Sequence, residues 1–311
     1  MRYTLRQLEY FIAAGEAGSI RHASERLSIS QPSISTAISH LEQELGVQLF
    51  VRHHAQGLSL TPAGHKLVAE AKRIIQMAEG LYTSASDATD QVRGPLTVGS
   101  MVTLAPMIMP ELAHSFMAAY PGTEIRQFEA NHELLLDKLK WAEIDIAVTY
   151  DLLIPEGIDF VPLASLAPHA LVSEDHPLAG RQEVELAELA QEPLILLDLP
   201  LSREYFLALF FREKLKPKMY SYSAHQEVVR TMVANGYGYT LANVRPRSDL
   251  ALDGRRVVRL RIAGEQRAMV MGIATPASVR KSRLLKSFED HCMTCISDSH
   301  IPGMVGPDFT N

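Results

Sequence analysis

Apolar residues in the first 45 positions recur every three or four residues, which is the spacing of helices that bury one face. The first helix is predicted to end near Gly15 to Gly18, and its apolar positions are Leu5, Leu8, Phe11 and Ile12. Two shorter helices are predicted over residues 20–45. Their core positions are Ala23, Leu27, Ile34, Ile38, Leu41 and Leu45. Three such helices can enclose a small core, and the last two form a helix-turn-helix.

The turn between the last two helices is Ser28-Ile29-Ser30. Ser30 is able to cap the helix that follows, and Pro32 is tolerated only in a first helical turn. The outward face of this helix is polar and comprises Gln31, Ser33, Ser35, Thr36 and His40. Gln31 stands at the N-terminal tip, where a recognition helix meets base edges, and its amide can pair with adenine. The alternative is a helical hairpin whose polar face only meets solvent.

Beyond Gly46 the pattern changes to strand alternation around a polar tip, and residues 47–50 and 58–60 predict a two-stranded wing. Thr61-Pro62 is a helix-start signal, and the helix is predicted to continue to about Gln91. Its apolar positions alternate by four and three residues, as in a coiled coil, and they are Leu67, Ala71, Ile74, Ala78, Leu81, Ala85, Ala88 and Val92. We therefore expect dimerisation through this helix. The alternative is that it docks on the C-terminal part of its own chain.

Arg93-Gly94-Pro95 cannot continue a helix, and a hinge is predicted there. Strands and helices then alternate, which is typical of a parallel sheet with helices on its faces. A first set has predicted strands at 96–98, 124–128 and 144–148 and helices at 104–119 and 133–140. A second set has strands at 170–173, 194–197 and 239–241 and helices at 203–212 and 226–234. The strand at 268–274 and the helix at 278–296 could return to the first set. The fold class is therefore α/β, with an all-α-type head.

The composition fits two or three domains, because 311 residues with 47% hydrophobic content can form substantial cores. The net charge of −6 is unusual for a nucleic-acid binder. The first 66 residues carry six Lys and Arg against five Asp and Glu, so DNA affinity is expected to depend on dimerisation. We find neither an apolar run of membrane-spanning length nor a signal-peptide pattern, and a soluble, cytoplasmic protein without membrane contact is expected.

The cysteines, Cys292 and Cys295, exclude a disulfide framework and fit a reducing compartment. With His291 and His300 they could be proposed as zinc ligands. A lone C-x-x-C motif without a second pair favours packed thiols instead, so neither a metal nor a cofactor is expected. The sequence also lacks G-x-S-x-G, H-E-x-x-H and phosphate-loop motifs, which speaks against an enzyme.

Several spaced motifs occur in one order along the chain. In the first 64 residues they are Leu5-x-x-Leu8-x-x-Phe11, Ser30-Gln31-Pro32-Ser33-Ile34-Ser35 leading to Leu41-Glu42, Gly46-Val47-x-Leu49-Phe50-x-Arg52 and Leu60-Thr61-x-Ala63-Gly64. Weaker ones follow at Gly94-Pro95-Leu96-x-Val98-Gly99, Asp145-Ile146-Ala147, His176-Pro177-Leu178 and Val233-Ala234-x-Gly236-x-Gly238. With these motifs the chain resembles the LysR-type transcriptional regulators to about residue 296.

The resemblance implies a winged helix-turn-helix at residues 1–61, a linker helix at 62–92, a hinge at 93–95, an effector domain at 96–296 and a tail at 297–311. The effector domain would have two lobes and resemble periplasmic binding proteins. Lobe I would comprise about 96–165 and 266–296, and lobe II about 166–265. Homodimers would assemble into homotetramers that bend promoter DNA. A small-molecule effector and RNA polymerase would be the other partners.

The DNA-binding residues that the resemblance implies are Gln31, Pro32, Ser33, Ser35, Thr36, His40, Arg52, His54 and Gln56. The wing tip at residues 53–57 departs from the family because it is one residue longer and has Gln56 where arginine is frequent. An amide lacks the charge that favours a narrow minor groove, so the wing is expected to bind more weakly or with altered selectivity. A second difference from the family pattern occurs near the cleft, at Leu241-Ala242-Asn243, where a proline is common.

Ligands of two-lobed α/β domains bind outside the carboxyl ends of strands, where helix N-termini attract anions. The predicted loop Ser100, Met101, Val102 and Thr103 is such a place. The resemblance adds Asn131, His132, Tyr150, Asp151, Ser202, Arg203, His225 and Asn243. Arg203 could clamp a carboxylate or phosphate, which suggests a small anionic effector, although a plain surface arginine is the alternative.

Two other functions compete with this interpretation. One is a ligand-independent, architectural DNA-binding dimer. The other is a solute-binding protein, which residues 96–296 would fit but residues 1–92 oppose.

Overall fold

The computed structural model describes residues 3–53, 57–88, 91–277 and 281–306. The chain forms two compact units, residues 1–91 with 141–143, and residues 92–140 with 144–311. No helix within these described ranges is both long enough and apolar enough to cross a membrane.

The first unit begins with the three predicted helices, α1 (Leu5–Ala17), α2 (Ile20–Leu27) and α3 (Gln31–Leu45). The Ser30 hydroxyl accepts a hydrogen bond from the backbone N–H of Ser33, so the predicted cap of α3 is confirmed. Gly18 ends α1 in the left-handed region, at φ 59°, where a residue without a β-carbon is favoured. The core of the unit contains Phe11, Ile34, Ile38 and Leu41, whereas Leu5 stays exposed.

The wing and the long helix complete this unit. Strand β1 (Phe50–His53) pairs antiparallel with β2 (Gly57–Leu60), and α4 (Pro62–Ala88) follows. Phe11 packs edge-on against Phe50 with ring centroids 5.6 Å apart. The first turns of α4 pack on the same core through Leu67, Val68, Ala71, Ile74 and Ile75.

The second unit alternates strands and helices. Its elements in chain order are β3 (Gly94–Met101), α5 (Ala105–Ala119), β4 (Thr123–Ala130), α6 (His132–Lys140), β5 (Ile146–Tyr150), β6 (Ile158–Leu166), β7 (His169–Ser173), β8 (Glu183–Val184), α7 (Leu186–Leu189), β9 (Pro193–Leu197), α8 (Ser202–Arg212), β10 (Lys218–Ser223), α9 (Gln226–Ala234), β11 (Thr240–Ala242), β12 (Val257–Ile262), β13 (Met269–Pro276) and α10 (Arg283–Cys295). One sheet has the order β4-β3-β5-β13-β6, in which β13 runs antiparallel to both of its neighbours. The other strands form a sheet β11-β7-β12-β8 and a parallel pair β10-β9. We call the part built on the first sheet lobe I and the part built on the other strands lobe II.

Strand β3 begins at Gly94, two residues earlier than predicted. Gly94 and Pro95 pair with Thr123 and Glu124 of β4, so they lie in the sheet rather than in a separate hinge. Proline is tolerated here because β5 pairs with β3 only from Val98 onward, and no ladder bond needs the missing N–H.

Residues 297–306 run across both lobes, and we call them the strap. The backbone N–H of Ser165 in lobe I donates to the Asp298 carboxylate over 2.6 Å. Met304 forms a β-bridge with Pro246 in lobe II, and Ile301 and Met304 are buried. Gly303 lies so close to α5 that an added β-carbon would come within 2.4 Å of the Met107 carbonyl oxygen. The strap therefore belongs to the packed body of the unit.

Candidate nucleic-acid interface and effector cleft

The polar face of α3 is exposed as predicted. Gln31, Pro32, Ser33, Thr36 and His40 are exposed, and Ser35 is half-buried. The opposite face, Ile34, Ala37, Ile38 and Leu41, is buried. The Ser33 hydroxyl lies 2.7 Å from that of Ser30, so it is already engaged in the cap of the helix.

Gln7 of α1 joins this surface, although the sequence interpretation missed it. Gln7 lines an open concavity of about 470 Å³ with Pro32, Ser33, Thr36, Ala37 and His40. Its side-chain oxygen accepts from the Thr4 N–H over 2.8 Å, in a capping box. The amide nitrogen is thereby turned to Nδ1 of His40, 3.2 Å away. Because that nitrogen accepts, Nε2 of His40 is left as a donor. The Thr4-x-x-Gln7 spacing, which is that of a capping box, is the feature of the sequence that could have indicated this position of Gln7.

An ionic cluster fixes α2 against the rest of the first unit. The Glu16 carboxylate lies 2.7 Å from Arg26 of α2 and 3.0 Å from Lys72 of α4. Partial burial alone would raise the pKa of Glu16, but the hydrogen bonds from Arg26 and Lys72 hold that pKa below its ordinary value. The carboxylate is therefore charged at neutral pH and connects three helices.

The structure describes only part of the wing. Arg52 lies in β1, where its backbone pairs with Leu58, and its side chain lies outside the described part of the structure. His54 and Gln56 lie outside the described residues altogether.

The apolar positions of α4 that predict a coiled coil fall into two groups. Leu67 and Ile74 are half-buried against the core of their own unit, and Ala71 is enclosed there at 3% exposure. Ala71 is therefore not available to a second chain in this structure, in contrast to the prediction. Ala78 is half-buried, and Leu81 is 70% exposed. The side chain of Ala85 lies outside the described residues.

Several predicted cleft residues meet in the interior between the lobes. Ser100 and Met101 end β3 as buried residues instead of starting a loop, and half-buried Val102 follows. The Thr103 hydroxyl lies 3.2 Å from the buried Tyr150 hydroxyl, which also hydrogen-bonds Asn243 of lobe II. Burial raises the pKa of Tyr150 to about 12, so its hydroxyl stays protonated. This polar contact lies at the carboxyl ends of β3 and β5.

Three other predicted residues have structural or peripheral positions. Asn131 accepts the Leu134 N–H over 3.0 Å and caps α6. His132 is buried between the Thr149 hydroxyl and the Leu152 carbonyl, and burial lowers its pKa, so it is neutral. His225 is exposed at the start of α9 and makes no side-chain cap.

Arg203 is engaged with carboxylates of its own chain. Its guanidinium lies 2.7 Å from Asp198 and 2.8 Å from Glu204, with 45% of the side chain exposed. This is the surface-arginine arrangement that stood as the alternative to an effector clamp. Ser202, beside it, is buried.

A groove of about 400 Å³ opens between the two lobes next to these residues. It is lined by Asp151, Leu152, Leu153, Leu201, Glu204, Tyr205, Ala208, Leu209, Arg212 and Arg267. Asp151 accepts the Val270 N–H over 3.0 Å and lies 3.3 Å from Arg267. The side chain of Arg212 is exposed, and its guanidinium has no hydrogen-bond or ion-pair partner within the described part of the chain.

Two of the groove residues have a strained backbone. Leu153 has φ 44° and Leu201 has φ 64°, in a region that a leucine rarely adopts. Strain of this kind costs about 1–3 kcal/mol and is concentrated at ligand-binding and switch regions. No pattern in the sequence indicates these two conformations.

The two cysteines lie near the C-terminal end of α10, where Cys292 is buried and Cys295 is half-buried. Cys292 is buried and burial raises its pKa, and the pKa of Cys295 is raised for the same reason. His291 lies 2.8 Å from the Ser115 hydroxyl and 3.5 Å from the Cys295 sulfur. Within the described ranges no group of three or more His, Cys, Asp and Glu could hold a metal ion.

The chain matches known proteins over both units. Residues 5–65 match the bacterial regulatory helix-turn-helix protein, lysR family, and residues 89–294 match the LysR substrate binding domain. The hydrogen peroxide-inducible genes activator of Dickeya chrysanthemi is 31% identical over 238 residues, which cover 76% of this chain and 78% of that protein.

Solved structures agree with this assignment. HinK, a LysR family transcriptional regulator from Pseudomonas aeruginosa, is 37% identical, with 94% of this chain and 98% of that chain covered and a TM-score of 0.64. CbnR complexed with its target DNA shares the fold, with a TM-score of 0.70 at 23% identity over 94% of this chain and 99% of that chain. The chain therefore belongs to the LysR family and is a DNA-binding transcriptional regulator with an effector-binding domain.

Proposed function

We propose that this regulator reads promoter DNA with the exposed face of α3 and responds to a small amphipathic anion in the groove between its lobes. The proposal for the effector rests on Arg212. The carboxylates at the groove, Asp151 and Glu204, are each paired with an arginine, whereas Arg212 has no partner among the described residues. The charge that remains available to a ligand is therefore the positive charge of Arg212, which favours a carboxylate as the ligand.

The size and walls of the groove narrow the ligand class. A volume of about 400 Å³ lies within the range of small-molecule sites, about 300–1,000 Å³. Leu152, Leu153, Leu201 and Leu209 supply apolar surface on both lobes. An aromatic or branched carboxylic acid would satisfy both the cation and these walls.

Binding there would act on the arrangement of the lobes. Asp151 and Leu153 follow β5 of lobe I, while Leu201 and Arg212 lie at the two ends of α8 in lobe II. A ligand that contacts both lobes stabilises the arrangement in which both contacts are made. DNA affinity and effector affinity then change together, since coupling between two sites is reciprocal.

On the DNA side, Gln31 and Thr36 supply groups for base edges, and Nε2 of His40 supplies a donor for a base or a phosphate. We also propose a cytoplasmic location with RNA polymerase as a partner, since a promoter-bound regulator acts where DNA and the polymerase are both found.

Two surfaces support a homodimer that assembles into a homotetramer. Leu81 on α4 is exposed, as is Met77 beside it at 75%. On lobe II, β10 pairs with β9 and exposes Tyr220 and Tyr222 along the strand. Large exposed apolar side chains and a strand with a free edge are typical of protein contacts.

The name of the peroxide-inducible relative raises peroxide as an effector. A thiol that reacts with peroxide needs thiolate character and access. Cys292 is buried, and the pKa values of Cys292 and Cys295 are both raised. These cysteines favour an effector that acts by binding and not by thiol oxidation.

The test is the thermal unfolding of the full-length protein with a panel of aromatic, branched and hydroxy carboxylates, sugar phosphates and neutral metabolites. A ligand at about a hundred times its dissociation constant stabilises the protein by about 2.7 kcal/mol. We expect a carboxylate to do so in the wild type and in Arg203→Gln, but not in Arg212→Gln. A ligand that stabilises all three proteins equally would contradict the assigned groove.

A further inference from the structure

Three arginines lie in the interior of lobe II. Arg230 is on α9, Arg245 follows β11, and Arg259 is on β12. Arg230 and Arg245 are each 3% exposed, and the side chain of Arg259 is 12% exposed. Arg230 and Arg259 both donate to carbonyl oxygens of one loop, those of Ser248 and Pro246. We call these three residues the arginine cluster.

The negative charge beside the arginine cluster does not balance it. Asp249 lies 2.8 Å from Arg259, and it is the carboxylate that ion-pairs the cluster within the described residues. Glu227 acts on Arg230 without forming an ion pair in that part of the chain. His169 also lies among these arginines, but its pKa falls to about 3 through burial and their positive charge, so it is neutral.

Arg245 is the uncompensated member. Its Nε is buried and has no hydrogen-bond partner among the described residues, and its guanidinium forms no ion pair there. Burial and the neighbouring Arg259 both lower its pKa, which reflects the lack of a counter-charge. Burying a cation without a partner is strongly unfavourable, so a site of this composition attracts an anion.

The free space beside the cluster is small. A cavity of about 30 Å³ lies nearby and is walled mainly by apolar side chains. Its polar lining residues are Gln226, Arg230, Thr240 and Asn243. It also borders Val244 and Pro246, the chain neighbours of Arg245, but neither Arg245 nor Arg259 lines it. The buried Oε1 of Gln226 has no partner among the described residues, and turning this amide presents an N–H donor instead. The volume accepts a species of about the size of water, but not a phosphate, a sulfate or a carboxylic acid.

We propose that the arginine cluster binds one monatomic anion, chloride under cellular conditions, as an internal counter-ion. The site is separate from the effector groove. The segment around Arg245 is hydrogen-bonded to the strap. The Val305 N–H donates to the Arg245 carbonyl over 3.0 Å, and the Arg247 N–H donates to the Gly303 carbonyl over 3.3 Å. Occupancy therefore holds the segment around Arg245 and the strap together.

Bromide provides a direct test, because it replaces chloride and is located by anomalous diffraction. We expect one anomalous peak in the cavity that borders Arg230, Val244 and Pro246 in crystals of the full-length wild type grown in bromide. Density for water alone at that position, or an empty site, would overturn the proposal. This arm needs no variant.

Thermal unfolding in sodium chloride and in sodium gluconate at equal ionic strength is the second arm. Chloride should raise the Tm of the wild type by about 4 °C over its value in gluconate. This is the shift expected when the chloride concentration is roughly ten times the dissociation constant of one site. The rise should disappear in Arg245→Met and persist in Arg255→Met, since Arg255 is a surface arginine 3.8 Å from Asp253. If Arg245→Met does not fold, Arg245→Lys should show a reduced rise. The same rise in all variants would refute the site.

Discussion

The side-chain amide of Gln7 donates to Nδ1 of His40 across 3.2 Å, and this contact connects α1 to the recognition helix α3. Because the Thr4 N–H occupies the other end of the amide, the orientation of Gln7 is fixed, and so is the donor that His40 presents outward.

Gln7→Ala should therefore weaken specific DNA binding by about fivefold, equivalent to one hydrogen bond of about 1 kcal/mol. Non-specific binding should change little, because phosphate contacts dominate it. Thr4→Ala is the control, since it removes the cap partner and keeps the amide beside His40. Titrations of an operator duplex and a random duplex at one salt concentration measure both effects. Equal losses on the two duplexes would argue against a role in base reading.

Gln31→Ala should lower affinity for the operator by about 1–3 kcal/mol, as expected for loss of a bidentate base contact. Ser33→Ala should cost less, because the Ser33 hydroxyl lies 2.7 Å from that of Ser30 and is already engaged. The same titrations apply. A larger loss for Ser33→Ala than for Gln31→Ala would reverse this assignment.

Leu81→Ala should weaken dimerisation by about tenfold, or about 1.4 kcal/mol, through the apolar surface it removes from the contact. The Tm should stay unchanged at a protein concentration at which both proteins are monomeric, because only the dimer adds to stability. Leu81 is 70% exposed in the protomer, so the substitution removes no internal contact. Ala71→Leu should lower the Tm instead, because Ala71 is buried and overpacking a core costs about 1–3 kcal/mol. Sedimentation equilibrium and thermal unfolding separate the two. Unchanged self-association of Leu81→Ala would contradict dimerisation at this position.

Glu16 should make the stability of the first unit depend on acid pH. Its pKa is lowered in the folded protein, so its stabilising contribution is present above the unfolded value of 4.5 and is lost as the pH falls through the lower folded value. Denaturant unfolding should show Glu16→Gln less stable than wild type at neutral pH, with the difference vanishing in acid. Glu25→Gln is the control, because its pair with Arg21 is largely exposed. A difference that persists in acid would exclude this electrostatic cause.

Gly303→Ala should detach the strap from α5. The new β-carbon would meet the Met107 carbonyl oxygen at 2.4 Å, and the φ of 71° is unfavourable for alanine. We expect a lower Tm and faster hydrogen exchange at residues 245–247 and 297–306. Gly306→Ala is the matched control, since an added β-carbon there meets no atom within 4 Å among the described residues. Identical exchange in the two variants would show that the strap is not held at Gly303.

The parts of the fold that local signals specify were predictable. Ser30 and Pro32 mark the start of α3 by cap chemistry alone, and the structure places both as expected. Strand β6 was missed because it contains Pro162, which is tolerated only because β6 is an edge strand with a register shift there. Strand β12 was missed although residues 259–262 alternate polar and apolar side chains, which is itself a strand pattern.

The groove depends on pairings that no spacing reveals. Arg203 and Arg212 lie on the same helix, and both would suit an anion. Their difference arises because Arg203 reaches Asp198 and Glu204, whereas Arg212 meets no carboxylate among the described residues. Which arginine is free depends on side-chain directions set by the packed lobes, so the sequence alone pointed to Arg203.

The match to the LysR substrate binding domain ends at residue 294, before the strap begins. A premature stop codon just after that point would leave both recognised domains complete in the translated product. Such an allele would pass as intact when genomes are compared by domain content. Its product would still lack the segment that joins Ser165 and Met107 to Pro246, so the connection that this segment makes between the two lobes would be lost.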